Sequence, residues 1–284
     1  MRTDFSKLAN LDRRWIYLLM AVALILPLIV PLNLPFKTSK MVEDIYEVVD
    51  KLPEDSIVLV SADYDPASAP ELYPFSVALF HHLFKKNIKV VVITLWPAGS
   101  PLIDASLEET AIKRYQKTYG RDFVNLGYKQ GDLVVIRGIL RDFRSYFPRD
   151  SRGTPIDELP IMKGIFDITD FDLFVSISAG YPGIKEWVQQ AQSRLSFDMV
   201  GAVTAVSALD FIPYYQAGQL KGLAAGMRGS ADYEVLVGEK ALATSGMDAQ
   251  NLGHFLIVFS IAVGNVFFFY GRRKNKRKDS KGAR

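Results

Sequence analysis

The chain has 284 residues, of which 49% are hydrophobic and 23% charged, with a formal net charge of +3. This length suits one large domain or two small ones, and the composition excludes a disordered or fibrous chain. There are no cysteines and only three histidines. Disulfides, thiolate metal sites and cysteine nucleophiles are therefore excluded, and a histidine-rich metal centre is not expected.

The first element is an uncharged apolar run of 22 residues, 15–36. About 20 such residues cross the hydrocarbon core of a bilayer, so the run predicts a transmembrane helix. Pro27 and Pro31 are expected to kink this helix or end it early. A buried core helix and a cleaved signal peptide are the alternatives. The run is longer than the apolar region of a signal peptide, and no small-residue cleavage site follows it.

A second uncharged run of 19 residues, 252–270, lies near the other end of the chain and predicts a second transmembrane helix. The flanking segments are basic, with net charges of +2 over residues 1–14 and +7 over residues 271–284. Basic flanks stay in the cytoplasm. We therefore predict a two-pass protein with a cytoplasmic tail at each end and an extracytoplasmic domain over residues 37–251. The basic run is expected to hold the second helix against anionic lipid and not to bind nucleic acid.

Apolar runs alternate with helical patterns through this middle domain. Continuous apolar runs of four to eight residues are typical of strands that are buried on both faces. The predicted strands are residues 56–62, 88–95, 133–136, 171–177, 198–205 and 220–226. Strand–helix alternation predicts an α/β domain with a Rossmann-like, doubly wound, mostly parallel sheet, here flanked by N- and C-terminal transmembrane helices.

The helices between these strands are predicted from apolar residues at helical spacing. They cover residues 70–86, 106–119, 184–195 and 207–216, and a further helical composition extends over residues 233–250. Ser106 and Glu109 have the spacing of a capping box that would open the second of these helices. Residues 141–170 break the alternation with three prolines and two glycines, so they are predicted to form a long surface excursion.

Ligands of open parallel sheets bind beyond the carboxyl ends of the strands. With the predicted strands, this rule selects the segments 62–66, 96–99, 137–138, 178–183, 204–207 and 227–229. Ser178, Gly180, Gly183 and Arg228 are the candidate ligand-binding residues among them. A glycine-rich turn before a helix can hold an anion through its backbone N–H groups. Ordinary strand–helix turns have the same composition, so a ligand cleft and plain turns both remain open.

The pattern with the clearest chemistry is Asp63 and Asp65, which follow the first predicted strand, with Thr94 near the end of the second. Two carboxylates one residue apart can both face Mg²⁺. This arrangement resembles the first two motifs of haloacid-dehalogenase-type phosphohydrolases. The resemblance implies a nucleophilic Asp63, a phosphate-binding Thr94 and a magnesium ion on the two aspartates. The residues after Asp65 depart from that family's pattern, and its lysine and paired acids are not evident. In the alternative interpretation, both aspartates shape the turn into the next helix.

Two hypotheses for function follow. The first is a non-enzymatic, twice-anchored membrane protein that has no cofactor. Its α/β domain binds a partner or small ligand within a membrane assembly, with other membrane proteins or further copies of itself as partners. Asn265 and Gly264 in the second apolar run would help helices associate. The second is a membrane-bound, magnesium-dependent phosphohydrolase.

Two other kinds of site are not expected. The first predicted strand is not followed by a dinucleotide-binding glycine motif. His81 and His82 are expected to be packed or surface residues and not catalytic ones.

Overall fold

The computed structural model describes residues 13–32, 34, 37–195 and 197–282. The chain forms two compact units. The helix-pair unit comprises Met1–Leu34 and Ser245–Arg284, and the α/β unit comprises Pro35–Thr244. Most of the predicted N-terminal tail, residues 1–12, lies outside the described residues, as do the last two residues of the predicted basic tail.

The α/β unit is built on a sheet of six strands, all parallel, which confirms the predicted α/β class. The strands are β1 (Ile57–Asp63), β2 (Lys89–Thr94), β3 (Phe123–Tyr128), β4 (Leu173–Ser178), β5 (Met199–Val203) and β6 (Gly222–Ala225). Their order across the sheet is β3-β2-β1-β4-β5-β6. The order therefore changes direction between β1 and β4, the position at which α/β sheets open a crevice.

The prediction of the third strand was wrong. The apolar residues 133–136 lie in a helix, and the true third strand is β3, which comes earlier in the chain. β3 was not predicted because it contains Asn125 and Gly127, residue types that are depleted in strands. Gly127 adopts a φ of +83° at an irregularity in the pairing of β2 with β3. Segment 137–138 consequently does not follow a strand, and it drops out of the predicted cleft rim.

Eleven α-helices are described. They are α1 (Arg13–Ile29), α2 (Lys40–Asp50), α3 (Ala69–Lys85), α4 (Gly99–Leu107), α5 (Asp132–Ile139), α6 (Phe143–Tyr146), α7 (Ile184–Trp187), α8 (Ser193–Leu195), α9 (Ala208–Gln216), α10 (Gly226–Val237) and α11 (Leu242–Gly282). Two π-helices, Glu108–Arg114 and Val188–Gln192, continue α4 and α7. The capping box at Ser106 is not formed, because Ser106 lies inside α4 and its hydroxyl donates to the Ile103 carbonyl.

Both faces of the sheet are covered, because side chains that alternate along each strand enter two separate apolar clusters. Val58 and Val60 of β1 belong to one cluster, and Leu59 belongs to the other. The first cluster takes residues from α2, α3 and α10. The second takes residues from α5, α7 and the excursion over residues 141–170. Burial on both faces explains why these strands read as continuous apolar runs.

The excursion has short helices only, as its prolines and glycines predicted, but it is packed and not a solvated loop. Three 3₁₀ turns, Ile156–Glu158, Pro160–Met162 and Ile168–Asp170, bring apolar side chains into the second cluster. Arg144 ties the excursion together by donating to the carbonyls of Met162 and Ile165. These contacts satisfy backbone groups that a buried loop would otherwise leave unpaired.

The helix-pair unit contains α1 and most of α11. A Cβ placed on Gly253 of α11 would lie 3.1 Å from a methyl carbon of Leu24, so the two helices touch closely at this glycine. One helix, over Leu242–Val266, is long and apolar enough to cross a membrane by length and composition alone, while Arg14–Ile29 is a shorter apolar helix. α1 contains Pro27 and ends two residues later.

Candidate functional site

The candidate site lies at the carboxyl ends of β1, β2 and β4, beside the change in strand order. Asp63 and Ser178 end their strands as direct register partners, and the Ala179 N–H donates to the Asp63 carbonyl at 3.0 Å. Thr94 ends β2 on the other side of β1. The parallel sheet therefore brings three of the predicted site residues to one edge.

The Asp63 side chain is fully buried and points inward. Its Oδ1 accepts a hydrogen bond from the Leu95 N–H and its Oδ2 accepts one from the Ser61 hydroxyl, both at 2.6 Å. Burial away from water raises the pKa of Asp63 to about 7, and the hydrogen-bond donors around it, Ser61 first and then Leu95 and Trp187, oppose the shift only in part. Asp63 is thus a proton-exchanging group in the physiological range, held inside the sheet edge.

Asp65 and Thr94 are engaged locally. The Asp65 carboxylate accepts hydrogen bonds from the Ser68 N–H and hydroxyl, which lower its pKa. Ser68 precedes the first residue of α3, so Asp65 shapes the entry to that helix. The Thr94 hydroxyl donates to the Trp96 carbonyl at 2.8 Å and accepts from the Trp96 N–H.

The arrangement around Asp63 and Asp65 does not fit a magnesium ion. Both oxygens of Asp63 are occupied by donors, and Asp65 bonds to Ser68. Within the described part of the chain, no group of three or more His, Cys, Asp or Glu side chains converges to hold a metal. Mg²⁺ needs carboxylate oxygens that are free to face it, so the residues present do not fit this ion.

The predicted ligand-binding residues make hydrogen bonds to their own neighbourhood. The Ser178 hydroxyl donates to the Gly180 carbonyl at 3.0 Å, and the Gly183 N–H donates to the Glu186 carboxylate at 2.9 Å. Arg228 lies in α10, where its guanidinium donates to Asp232 and to a backbone carbonyl of the segment that precedes α2. Three of the predicted ligand-binding residues therefore share the turn after β4, namely Ser178, Gly180 and Gly183. Arg228 lies in α10 and makes its hydrogen bonds away from this turn.

Trp96 lies in the predicted rim segment 96–99, but its contact with the turn after β4 was not predicted from the sequence. Its indole N–H donates to the Pro182 carbonyl at 3.1 Å, and a Cβ placed on Gly180 would lie 3.3 Å from its ring. The side chain therefore bridges the ends of β2 and β4, which flank β1. The start of α4 packs closely against the end of β1, because a Cβ placed on Gly99 would lie 2.5 Å from the Ala62 carbonyl oxygen. Trp96 and the first residue of α4 fill space that a crevice ligand would use.

Gly183 is expected to be needed for this closed packing. A Cβ at position 183 would lie 1.9 Å from the Ser178 Oγ and 2.3 Å from the Gly180 carbonyl oxygen. Gly183→Ala should therefore lower the free energy of unfolding by about 1–3 kcal/mol, the usual cost of overpacking. Urea unfolding followed by tryptophan fluorescence measures this. Gly180→Ala is the matched control and should cost less, because its Cβ meets only the edge of the Trp96 ring. Equal stability of both variants would contradict the close packing.

The two histidines of α3 are buried, as expected for packed residues. His82 Nδ1 lies 2.9 Å from the Tyr233 hydroxyl, and its ring stacks on Tyr46 with centroids 4.8 Å apart. Burial lowers the pKa of His82 to about 4. His81 Nδ1 lies 2.6 Å from the Tyr115 hydroxyl. Neither ring lies at the carboxyl edge, so neither serves Ser178 as a general base.

Other surface features lie away from Asp63. An open cavity of about 550 Å³ lies beside β3, with Asp104 and Glu108 on one side and Arg152, stacked on Tyr119, among its other lining residues. After β5, Val206 is 89% exposed and Leu209 is 77% exposed. Val206 lies in the turn after β5 and Leu209 in the first turn of α9.

Comparison with known proteins identifies no relative of this chain. No family model matches it, and there is no significant match among the curated proteins or the solved structures. Its function is therefore inferred from its own residues and geometry.

Proposed function

We propose that the chain is a two-pass membrane protein whose α/β unit binds a protein partner on the extracytoplasmic side, within a membrane assembly. The observation that carries this proposal is the exposure of apolar side chains along α1 and α11. Ile29, Phe255 and Val266 are each at least 66% exposed, and other apolar residues of both helices are similarly uncovered. Water-exposed apolar surface of this extent is rare in soluble proteins, whereas lipid would cover it favourably.

Charge gives the proposed orientation. Residues 1–14 carry a net +2 and residues 271–284 a net +7, so from the total of +3 the intervening region carries 3 − 9 = −6. Positive flanks are retained in the cytoplasm, which assigns both tails to that side. α1 has 17 residues and is about 26 Å long at 1.5 Å per residue, close to the thickness of the hydrocarbon core.

A protein partner is favoured over a small ligand because the crevice at the carboxyl edge is occupied by the chain itself. The strand order matches that of Rossmann-like, doubly wound sheets, whose ligands bind beside the first strand. Here Trp96 and the start of α4 take that position, and Ser178 and Gly183 bond within their own turn. Val206 and Leu209 offer exposed apolar contacts at the same edge.

Single cysteines introduced into this cysteine-free chain test the proposal. Lys185 is exposed in the α/β unit, so Lys185→Cys should react with a membrane-impermeant maleimide in intact cells. Ser280→Cys in the basic tail should react only after permeabilisation. The reverse pattern, or release of the protein by a carbonate wash, would refute the two-pass topology. Purification in mild detergent should then recover additional protein subunits, and a clean monomer by light scattering would count against an assembly.

The phosphohydrolase stays a second hypothesis without support from this geometry, because both Asp63 oxygens and the Asp65 carboxylate are engaged by local donors. It predicts Mg²⁺-dependent hydrolysis of a phosphate ester such as p-nitrophenyl phosphate, lost in Asp63→Asn. Turnover that is absent from the wild type, or equal in wild type and variant, would remove it.

A further inference from the structure

We propose that the chain forms a parallel homodimer through one face of α11, centred on Asn265. This inference rests on the proposed membrane location and names the partner of that helix. The Asn265 face is defined as His254, Val258, Ile261 and Asn265, which recur at helical spacing and are all exposed.

A different side of α11 contacts α1. Gly253 is buried, and Leu256, Ser260 and Val263 are partly covered, also at helical spacing. At 100° per residue, the mean directions of these two sets differ by about 150° around the helix axis. The Asn265 face therefore points away from α1, and within the helix-pair unit no described residue covers it.

An amide on this face needs a partner. Asn265 lies inside the uncharged run 252–270 predicted from the sequence, and its apolar neighbours on the same face, Val258 and Ile261, are exposed. Among the described residues its side chain has no hydrogen-bond partner. Polar side chains within membrane helices face other helices, where they form interhelical hydrogen bonds.

A second copy of α11 meets this need by symmetry. Two copies inserted by the same charge rule are parallel, so their Asn265 residues lie at the same depth. Each carboxamide both donates and accepts, and a two-fold axis pairs the two reciprocally. Gly264 supports close approach, because no atom lies within 4 Å of the position that a Cβ would take there. An unrelated partner helix would need a complementary polar group placed at this depth independently.

Disulfide cross-linking in native membranes tests the dimer with the full chain. Because the chain lacks cysteine, Ile261→Cys on the Asn265 face and Ser260→Cys on the α1-facing side form a matched pair. We expect oxidation to give a band of twice the monomer mass with Ile261→Cys and little with Ser260→Cys. Adding Asn265→Leu to Ile261→Cys should weaken association by about threefold to thirtyfold, and Asn265→Gln should restore much of it.

The outcomes separate this inference from the proposed function. Cross-linking that is equal at positions 260 and 261, insensitive to Asn265→Leu, or directed to a protein of different mass would overturn the homodimer. If the protein also stays in carbonate-washed membranes with the labelling pattern described above, the membrane proposal stands without the dimer. Loss of the protein from washed membranes would overturn both.

Discussion

Replacing Asp63 with asparagine should stabilise the α/β unit at neutral pH and leave its stability nearly unchanged at pH 4. Because it is buried, the Asp63 carboxyl group has a pKa of about 7 in the folded chain. The pKa of an aspartate in the unfolded chain is 3.8. The unfolded state therefore releases the proton first as pH rises. Stability that is fully present below pH 4 is lost progressively up to about pH 7.

The size of this effect follows from the shift. At about 1.4 kcal/mol per pKa unit, burying the charge costs on the order of 4 kcal/mol at pH 8. Asparagine avoids this cost and keeps both contacts, since its oxygen can accept from the Leu95 N–H and its amide can donate to the Ser61 hydroxyl. Urea unfolding of the full chain in detergent at pH 4, 6 and 8 measures the gain.

Asp65→Asn is the matched control for this experiment. Asp65 has a lowered pKa and bonds to Ser68 at the start of α3, so its replacement should give no gain at any pH. If the free energy of unfolding of Asp63→Asn changes with pH in the same way as that of the wild type from pH 4 to 8, Asp63 ionises in the folded chain at little cost. A stabilised variant that has also lost phosphatase turnover would instead match an active-site carboxylate whose function opposes stability.

Much of the sheet was predictable from local patterns because each strand is buried on both faces and reads as a continuous apolar run. The strands at 56–62 and 171–177 were placed within one or two residues of β1 and β4. β3 was missed because Asn125 and Gly127 interrupt its apolar pattern, while α5 contains the apolar run Leu133–Ile136 that local propensity cannot distinguish from a strand. The packing of α5 on the second cluster decides its structure, and no local pattern contains that contact.

The candidate site was predictable only as a position along the chain. Strand-end reasoning placed Asp63, Thr94 and Ser178 at one edge, and the parallel sheet brings them there. The directions of the side chains depend on contacts between distant segments. Asp63 turns inward to Leu95, Asp65 turns to Ser68, and Trp96 reaches Pro182, 86 residues later in the chain. These contacts between distant segments put the chain's own residues in the space that the ligand cleft, one of the two interpretations of the sequence, would need.

His82 should make the folded chain sensitive to acid in the opposite sense to Asp63. Its pKa is lowered to about 4, first by burial and then by Lys86 and His81, while Asp50, with Oδ1 3.7 Å from Nε2, opposes the shift. The unfolded state, with a pKa of 6.5, takes up the proton first as pH falls. The stability contributed by neutral His82 is therefore present above pH 6.5 and is lost toward pH 4, by about 3 kcal/mol.

The two buried groups should therefore compensate each other between about pH 4 and 6.5. In that window a rise in pH costs stability through Asp63 and returns it through His82, so the wild type should change less than either variant. His82→Gln, which keeps a neutral hydrogen-bonding group near Tyr233, should lose stability as pH rises, and Asp63→Asn should gain it. The double variant should return close to the wild-type slope, because the two groups lie on different elements and share no hydrogen-bond partner. Unfolding curves at half-unit steps of pH give the four slopes. Single variants with the wild-type slope would show that neither group titrates in this range.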